Sequence, residues 1–180
     1  IKIAVLRIND SVKANRRPES ADLQELYRLL RDYAKIEPKK PQMAFSSILQ
    51  QLCKVGRHFD RFLPFVQWAG SEFLRPEDFI PNSHNGNTHP SLALTLAREV
   101  AEWVKARPGS KEAQVAYAID LAQAVLTASK DQDKIWLEWS MVSLLRLYGD
   151  RNAAAEILVR VLKKKRSEFW PWAEAGRIYR

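Results

Sequence analysis

The chain has little of what builds a redox or metal centre: one cysteine, two methionines and three histidines in 180 residues. With Cys53 alone, neither an internal disulfide nor a cysteine-based zinc cluster can form, and a reducing compartment fits. Leu49, Leu52 and Val55 place that cysteine on or beside an apolar helical stripe, so it reads as a small core residue. No uninterrupted apolar run approaches the ~20 residues that span a bilayer. The opening Ile1-Lys2-Ile3-Ala4-Val5-Leu6-Arg7-Ile8 is too short and too charged for a signal peptide. A cytoplasmic protein without membrane association is expected. The missing initiator Met and a last helical pattern that stops at Tyr179-Arg180 read as two cuts in a longer protein.

What is present describes a folded chain. Apolar residues at 46% against 28% charged exclude intrinsic disorder, and the length suits one domain or several stacked repeats sharing a core. The net charge of +8 is uneven. Residues 1–41 carry ten Lys/Arg against six Asp/Glu, residues 42–133 nine against ten, and residues 134–180 ten against five. A basic excess at both ends favours polyanions or an acidic protein partner.

Helical periodicity runs through most of the chain. Residues 1–14 alternate like a strand at Ile1, Ile3 and Val5, but Ile1, Val5, Ile8 and Val12 give the longer, helical match, stopped at Pro18. Helices follow from Glu19 or Ser20 to Ile36, from Gln42 to Lys54, with Gly56 as C-cap, and from Arg57 to Ala69, where Pro64 is either near the start or a kink. After Pro90 the pattern resumes, with Ser91 or Thr88 as cap, up to Pro108-Gly109. Ser110 caps the next helix, whose Ala113, Ala116, Ala118, Ala122, Ala124 and Ala128 permit close approach.

Between these halves, residues 70–89 break the rhythm, and a loop of this length inside a compact chain is often functional. Pro76-Glu77-Asp78 reads as one short helical turn, and Asn85-Gly86 as a tight turn. His84 and His89 with Asp78 and Glu77 can be drawn as a metal or acid/base cluster, although no standard ligand spacing is present. The simpler reading is a connecting loop held to the core by Phe73, Leu74, Phe79 and Ile80. Arg75, Asp78, His84 and Asn85 are its candidate partner-binding residues.

The C-terminal segment carries the clearest internal repetition. Trp136 and Trp170 stand 34 residues apart, the period of a tetratricopeptide helix pair. In that pattern Gly149 closes a turn and Ala154 sits where two helices cross. Trp172, Gly176 and Tyr179 match the W-x-x-small-G-x-x-Y element. Lys163, Lys164, Lys165 and Arg166 form the strongest charge run; it complements a helix dipole, or with Phe169, Trp170 and Trp172 makes a basic-aromatic patch for single-stranded nucleic acid.

Several stretches carry a family resemblance. Leu74-Arg75-Pro76-Glu77-Asp78-Phe79, Asn85-Gly86-Asn87, Pro90-Ser91-Leu92-Ala93, Leu144-Leu145-Arg146-Leu147-Tyr148-Gly149 and the run from Lys164 through Trp172 resemble an uncharacterised bacterial family of tetratricopeptide-like proteins. The resemblance implies components of conflict or stress-response systems, with a cold-shock or S1-like OB-fold after the helices in longer members. It brings no catalytic residues. The expectation is therefore an all-α, tetratricopeptide-like right-handed superhelix of about nine helices, a single domain over 1–180 with the irregular loop 70–89 dividing 1–69 from 90–180. It is expected to be no enzyme and to use no cofactor or metal, but to be a scaffold for a protein partner. The alternative is an RNA-associated module assisting an OB-fold outside this fragment.

Overall fold

The chain is mostly helical. The structure, a computed structural model, describes residues 1–38, 42–70, 73–84, 87–107, 109–110, 112–129, 134–148 and 150–178, with His84 described by its backbone alone. Nine α-helices lie among the described residues: α1 (Lys2–Lys13), α2 (Ser20–Lys35), α3 (Met43–Cys53), α4 (Phe62–Ala69), α5 (Leu92–Lys105), α6 (Glu112–Ala128), α7 (Ile135–Leu147), α8 (Arg151–Lys164) and α9 (Phe169–Ile178).

Local chemistry sets most of the boundaries. The strand reading of the first residues fails, because α1 buries Ala4, Val5 and Ile8 on one helical face. It ends with Asn15 at a φ of 52°, and the Asn15 and Arg16 amides donate to the Val12 and Ser11 carbonyls at 2.9 Å each. These paired bonds close the helix end, and asparagine tolerates the left-handed geometry they require. Ser91 caps α5 by accepting from the Leu94 amide at 3.2 Å. Ser110, expected to cap α6, donates its hydroxyl to the Val104 and Arg107 carbonyls at the end of α5. Asp150 serves two helices: its amide donates to the Leu145 carbonyl at 3.0 Å, closing α7, while its carboxylate accepts from the Ala153 amide at 3.0 Å, opening α8.

The expected helix over 57–69 is shorter than its apolar pattern. Pro64 is the third residue of α4, where its missing amide costs no helical bond. Residues 56–58 instead form a 3-10 turn, and Gly56, expected as a C-cap, is buried beneath the Phe62 ring, which lies 3.2 Å from where a Cβ would stand. The described part of segment 70–89 holds regular elements where an irregular loop is expected. It contains a 3-10 turn, Pro76–Phe79, and an antiparallel hairpin of β1 (Asn82–His84) and β2 (Asn87–His89), pairing Asn82 with His89, Ser83 with Thr88 and His84 with Asn87.

Packing is serial. The odd-numbered helices touch in order, α1 to α3, α3 to α5 and α5 to α7, while α2, α6 and α8 lie against α1, α5 and α7. Two apolar clusters fill the interior, and both draw on α5 and α6. Leu96, Val100, Trp103, Val115 and Ala118 belong to the first, and Ala93, Leu94, Ala97, Ala122 and Val125 to the second. The first cluster runs past 70–89 without a break, so the change of core falls within the α5–α6 pair. Of the six small residues on α6 only Ala118 and Ala122 are buried. Phe45 is the aromatic hub of the first cluster, with Tyr33, Phe65, Trp68 and Phe73 ring centroids 5.7–6.2 Å away.

Candidate functional site

Two regions remain candidates once the core is assigned: the 70–89 segment and the tryptophan-bearing face of α7 and α9. Pro76 starts the 3-10 turn with its fixed φ, and Asp78 folds back to accept from the Arg75 amide at 2.9 Å. The same carboxylate accepts from Ser46 Oγ at 2.6 Å and from Arg75 Nη2 at 3.0 Å. Arg75 Nε also donates to Ser46 Oγ at 3.0 Å. Asp78 is 6% exposed, so its carboxylate ties the segment to α3 and faces no solvent. The hydrogen bond that Arg75 donates to Asp78 holds the guanidinium above its ordinary pKa. Phe73 is fully buried on Phe45, whereas Ile80 is exposed. His89 is exposed on β2; the His84 side chain and Asn85 lie outside the described residues. Among the described residues no group of three or more His, Cys, Asp or Glu could hold a metal ion.

On α7, Trp136, Ser140, Ser143 and Leu147 recur at helical spacing, on the side away from Glu138, Met141 and Leu145. The 34-residue spacing becomes a direct contact: the Trp136 and Trp170 rings stack with centroids 5.7 Å apart and planes 20° off parallel. Trp139 meets Trp170 edge-on at 4.5 Å. Such pairs contribute about 0.5–1.5 kcal/mol beyond burial, yet Trp136 remains 49% exposed and Leu147 is more so. Ser140 joins this face to α5 by donating to Glu102 Oε1 at 2.9 Å, the same oxygen that accepts from Lys105 Nζ at 2.7 Å. Burial opposes the Glu102 charge, but Lys105, the Ser140 hydroxyl and Arg57 outweigh it and hold the carboxyl below its ordinary value.

Three buried carboxylates are each held by two cations. Glu99 faces Arg57 at 3.1 Å and Arg98 at 3.6 Å. Glu138 faces Lys164 at 3.2 Å and Arg160 at 3.7 Å. Glu174, only 2% exposed, faces Arg146 at 2.6 Å and Arg177 at 3.0 Å. Two positive charges against one leave each cluster net positive, and the cations are the more exposed members.

The basic run is divided by this arrangement. Lys164 is bound to Glu138, Lys165 is half-buried at the end of α8, and Lys163 and Arg166 are exposed. Trp172, expected in a repeat core, is 55% exposed, with Nε1 donating to the Arg166 carbonyl at 3.0 Å. Gly176 is exposed, with no atom within 4 Å of a Cβ position. Ala154 is fully buried in α8, the helix packed on α7. Gly149 and Tyr179 lie outside the described residues. Sequence reasoning missed Glu99, Glu138 and Glu174, and the available signal was a carboxylate inside an apolar run, as in Ile135-Trp136-Leu137-Glu138.

Residues 135–180, from the start of α7, match the model of a family described as a domain of unknown function, DUF7017. The match thus falls on the helices that carry Trp136, Trp139 and Trp170. No curated protein and no solved structure matches the chain. Among the described residues no helix is long and apolar enough to cross a membrane.

Proposed function

We propose that this chain is a non-enzymatic, tetratricopeptide-like helical-repeat scaffold, wound as a right-handed superhelix, that binds a protein partner along the face of its odd-numbered helices. The observation that carries the reading is the ladder α1–α3–α5–α7, continued to α9 by the Trp136–Trp170 stack. A stack of helix pairs produces that order, and such stacks bind partners along one continuous face. Trp136 is the proposed anchor: large, rigid, half-exposed and already held on one side. The net positive carboxylate clusters, with their cations exposed, suit an acidic rim on the partner. The single, buried Cys53 supports a reducing, cytoplasmic setting for this scaffold, and the sequence resemblance supports a role in a bacterial stress or conflict system.

The test is affinity capture followed by mass spectrometry, comparing the native chain with Trp136→Glu, nuclease included throughout. Loss of a specific protein from the Trp136→Glu sample, with helical circular dichroism unchanged, is expected; an identical captured set would end this assignment. A second reading, contact with single-stranded RNA, draws on exposed Lys163 and Arg166 beside Phe169, 80% exposed, and Trp172. It requires a salt-dependent mobility shift that disappears when 163–166 are neutralised.

A further inference from the structure

A groove of about 720 Å³ runs between the end of α3, the hairpin and α5. That size is typical of a small-molecule site. Its lining mixes polar and apolar groups, and the polar ones are Gln50 and Lys54 from the α3 end, Asn82 and Ser83 from β1, His89 from β2, and Thr95, Arg98 and Glu99 from α5. Arg98 is the unsatisfied member. Its Nε is buried with no acceptor among the described residues, and it makes a loose ion pair with Glu99 at 3.6 Å. Glu99 does not need it, because Arg57 already gives that carboxylate two hydrogen bonds at 3.1 and 3.3 Å. Arg98 is thus a surplus guanidinium in a partly desolvated wall, its side chain 39% exposed. A buried donor without a partner is costly, and an oxyanion supplies a guanidinium with acceptors two at a time.

The charge count decides the kind of anion. Arg57 neutralises Glu99, which leaves Arg98 and Lys54 as two positive charges on the groove. Two charges suit a dianionic phosphate better than a single carboxylate. The remaining walls combine these amides and hydroxyls with Cys53, His89, Pro90 and Leu92, and among the described residues no Phe, Tyr or Trp belongs to the lining. Among the described lining residues a nucleobase would find only the small, exposed imidazole of His89 to stack on, whereas a hydroxylated body finds partners in Gln50, Asn82 and Ser83.

We propose that this groove binds a small phosphorylated polyhydroxyl compound of about hexose phosphate size. The phosphate lies on Arg98 with Lys54 across from it, and the hydroxyls lie on Gln50, Asn82 and Ser83. The site is separate from the Trp136 face and goes beyond the scaffold reading. It also gives the hairpin a role, as the wall that supplies two of the hydrogen-bonding residues.

The experiment is isothermal titration calorimetry on the full chain at low ionic strength with glucose 6-phosphate, inorganic phosphate and glucose. Glucose 6-phosphate is expected to bind at least tenfold more tightly than inorganic phosphate, and glucose to give no heat. Arg98→Met is expected to weaken binding by about tenfold or more, the usual size of a lost charge-assisted pair, with Arg98→Lys intermediate. Lys54 is exposed, so Lys54→Met retains the fold and provides a second variant, expected to weaken binding several-fold. Trp136→Glu is expected to leave the affinity unchanged, which separates this site from the scaffold surface. No heat from any probe, an affinity indifferent to Arg98→Met and Lys54→Met, or inorganic phosphate binding as tightly as glucose 6-phosphate would each overturn the proposal.

Discussion

Replacing Asp78 tests whether the 70–89 segment is held by chemistry or merely rests on the core. The carboxylate accepts three hydrogen bonds, from Ser46 Oγ, the Arg75 amide and Arg75 Nη2, inside a site where Asp78 and Ser46 are both buried. Asp78→Ala leaves the Ser46 hydroxyl proton and the Arg75 amide without an acceptor and removes the partner of a cation. The expected cost is about 3–4 kcal/mol, the scale of breaking a buried polar pair from one side. Asp78→Asn is close to isosteric, yet it is expected to cost nearly as much. Its NH2 group must face a donor in either orientation, the Arg75 amide on one side or Arg75 Nη2 on the other. Ser46→Ala removes one of the three bonds and is expected to cost about 1–2 kcal/mol. Because the two residues share one network, Ser46→Ala with Asp78→Ala should cost clearly less than the sum. Urea unfolding followed by tryptophan fluorescence gives the free energies, and hydrogen exchange over 73–89 shows whether the segment opens first. Asp78→Asn within 0.5 kcal/mol of the native protein, a threshold set by ordinary surface substitutions, would show that the network contributes nothing.

Three further outcomes follow from the packing and the charges. Glu102 has its folded pKa held below the ordinary 4.5, so the unfolded chain binds more protons in that window; its stabilisation is complete above 4.5 and is lost as pH falls through the depressed folded value. Glu102→Gln should therefore flatten the acid limb of stability in urea titrations between pH 6 and pH 3, and an unaltered limb would count against it. Ala154→Leu should destabilise by about 1–3 kcal/mol in thermal melts, since Ala154 is fully buried at the α7–α8 contact; an unchanged midpoint would mean that the two helices do not meet there. Cys53 is buried, and burial raises its thiol pKa strongly, so its reaction with a thiol reagent should track global unfolding and be absent under native conditions. Fast native labelling would contradict the packing of α3.

Helix placement was largely legible because apolar spacing of three and four residues reports local geometry directly. The stripe of Leu26 and Leu30 on α2 and the Ser91 cap of α5 are of this kind. Where reading failed, a steric rule competed with periodicity. Phe59, Phe62, Leu63 and Val66 suggest one helix, but Pro64 fits only in a first turn, which moved the start to Phe62. The strands at 82–84 and 87–89 were missed because their residues are polar, with Asn82, Ser83, Asn87, Thr88 and His89 exposed, leaving no alternation to read.

The site was less legible than the helices. A 34-residue spacing predicted that Trp136 and Trp170 occupy equivalent places, but not that their rings stack or that one stays half-exposed. Trp172 and Gly176 match a repeat element in sequence and yet face solvent, because a motif names residue types and burial depends on what lies opposite. Asp78 looked like a surface acid in a loop and is a buried tie to Ser46, 32 residues away.

By itself, the sequence determined a helical chain, the excess of positive charge at its two ends, the inert environment of Cys53 and the positions of most helix ends, since each depends on composition or on residues within a turn or two of one another. Tertiary structure alone decided which charges are spent and which are surplus. Glu99 meets Arg57 across 42 positions and Glu174 meets Arg146 across 28, and no local pattern encodes such pairs. Only their geometry leaves Arg98 unsatisfied in its groove and Trp136 open on its face.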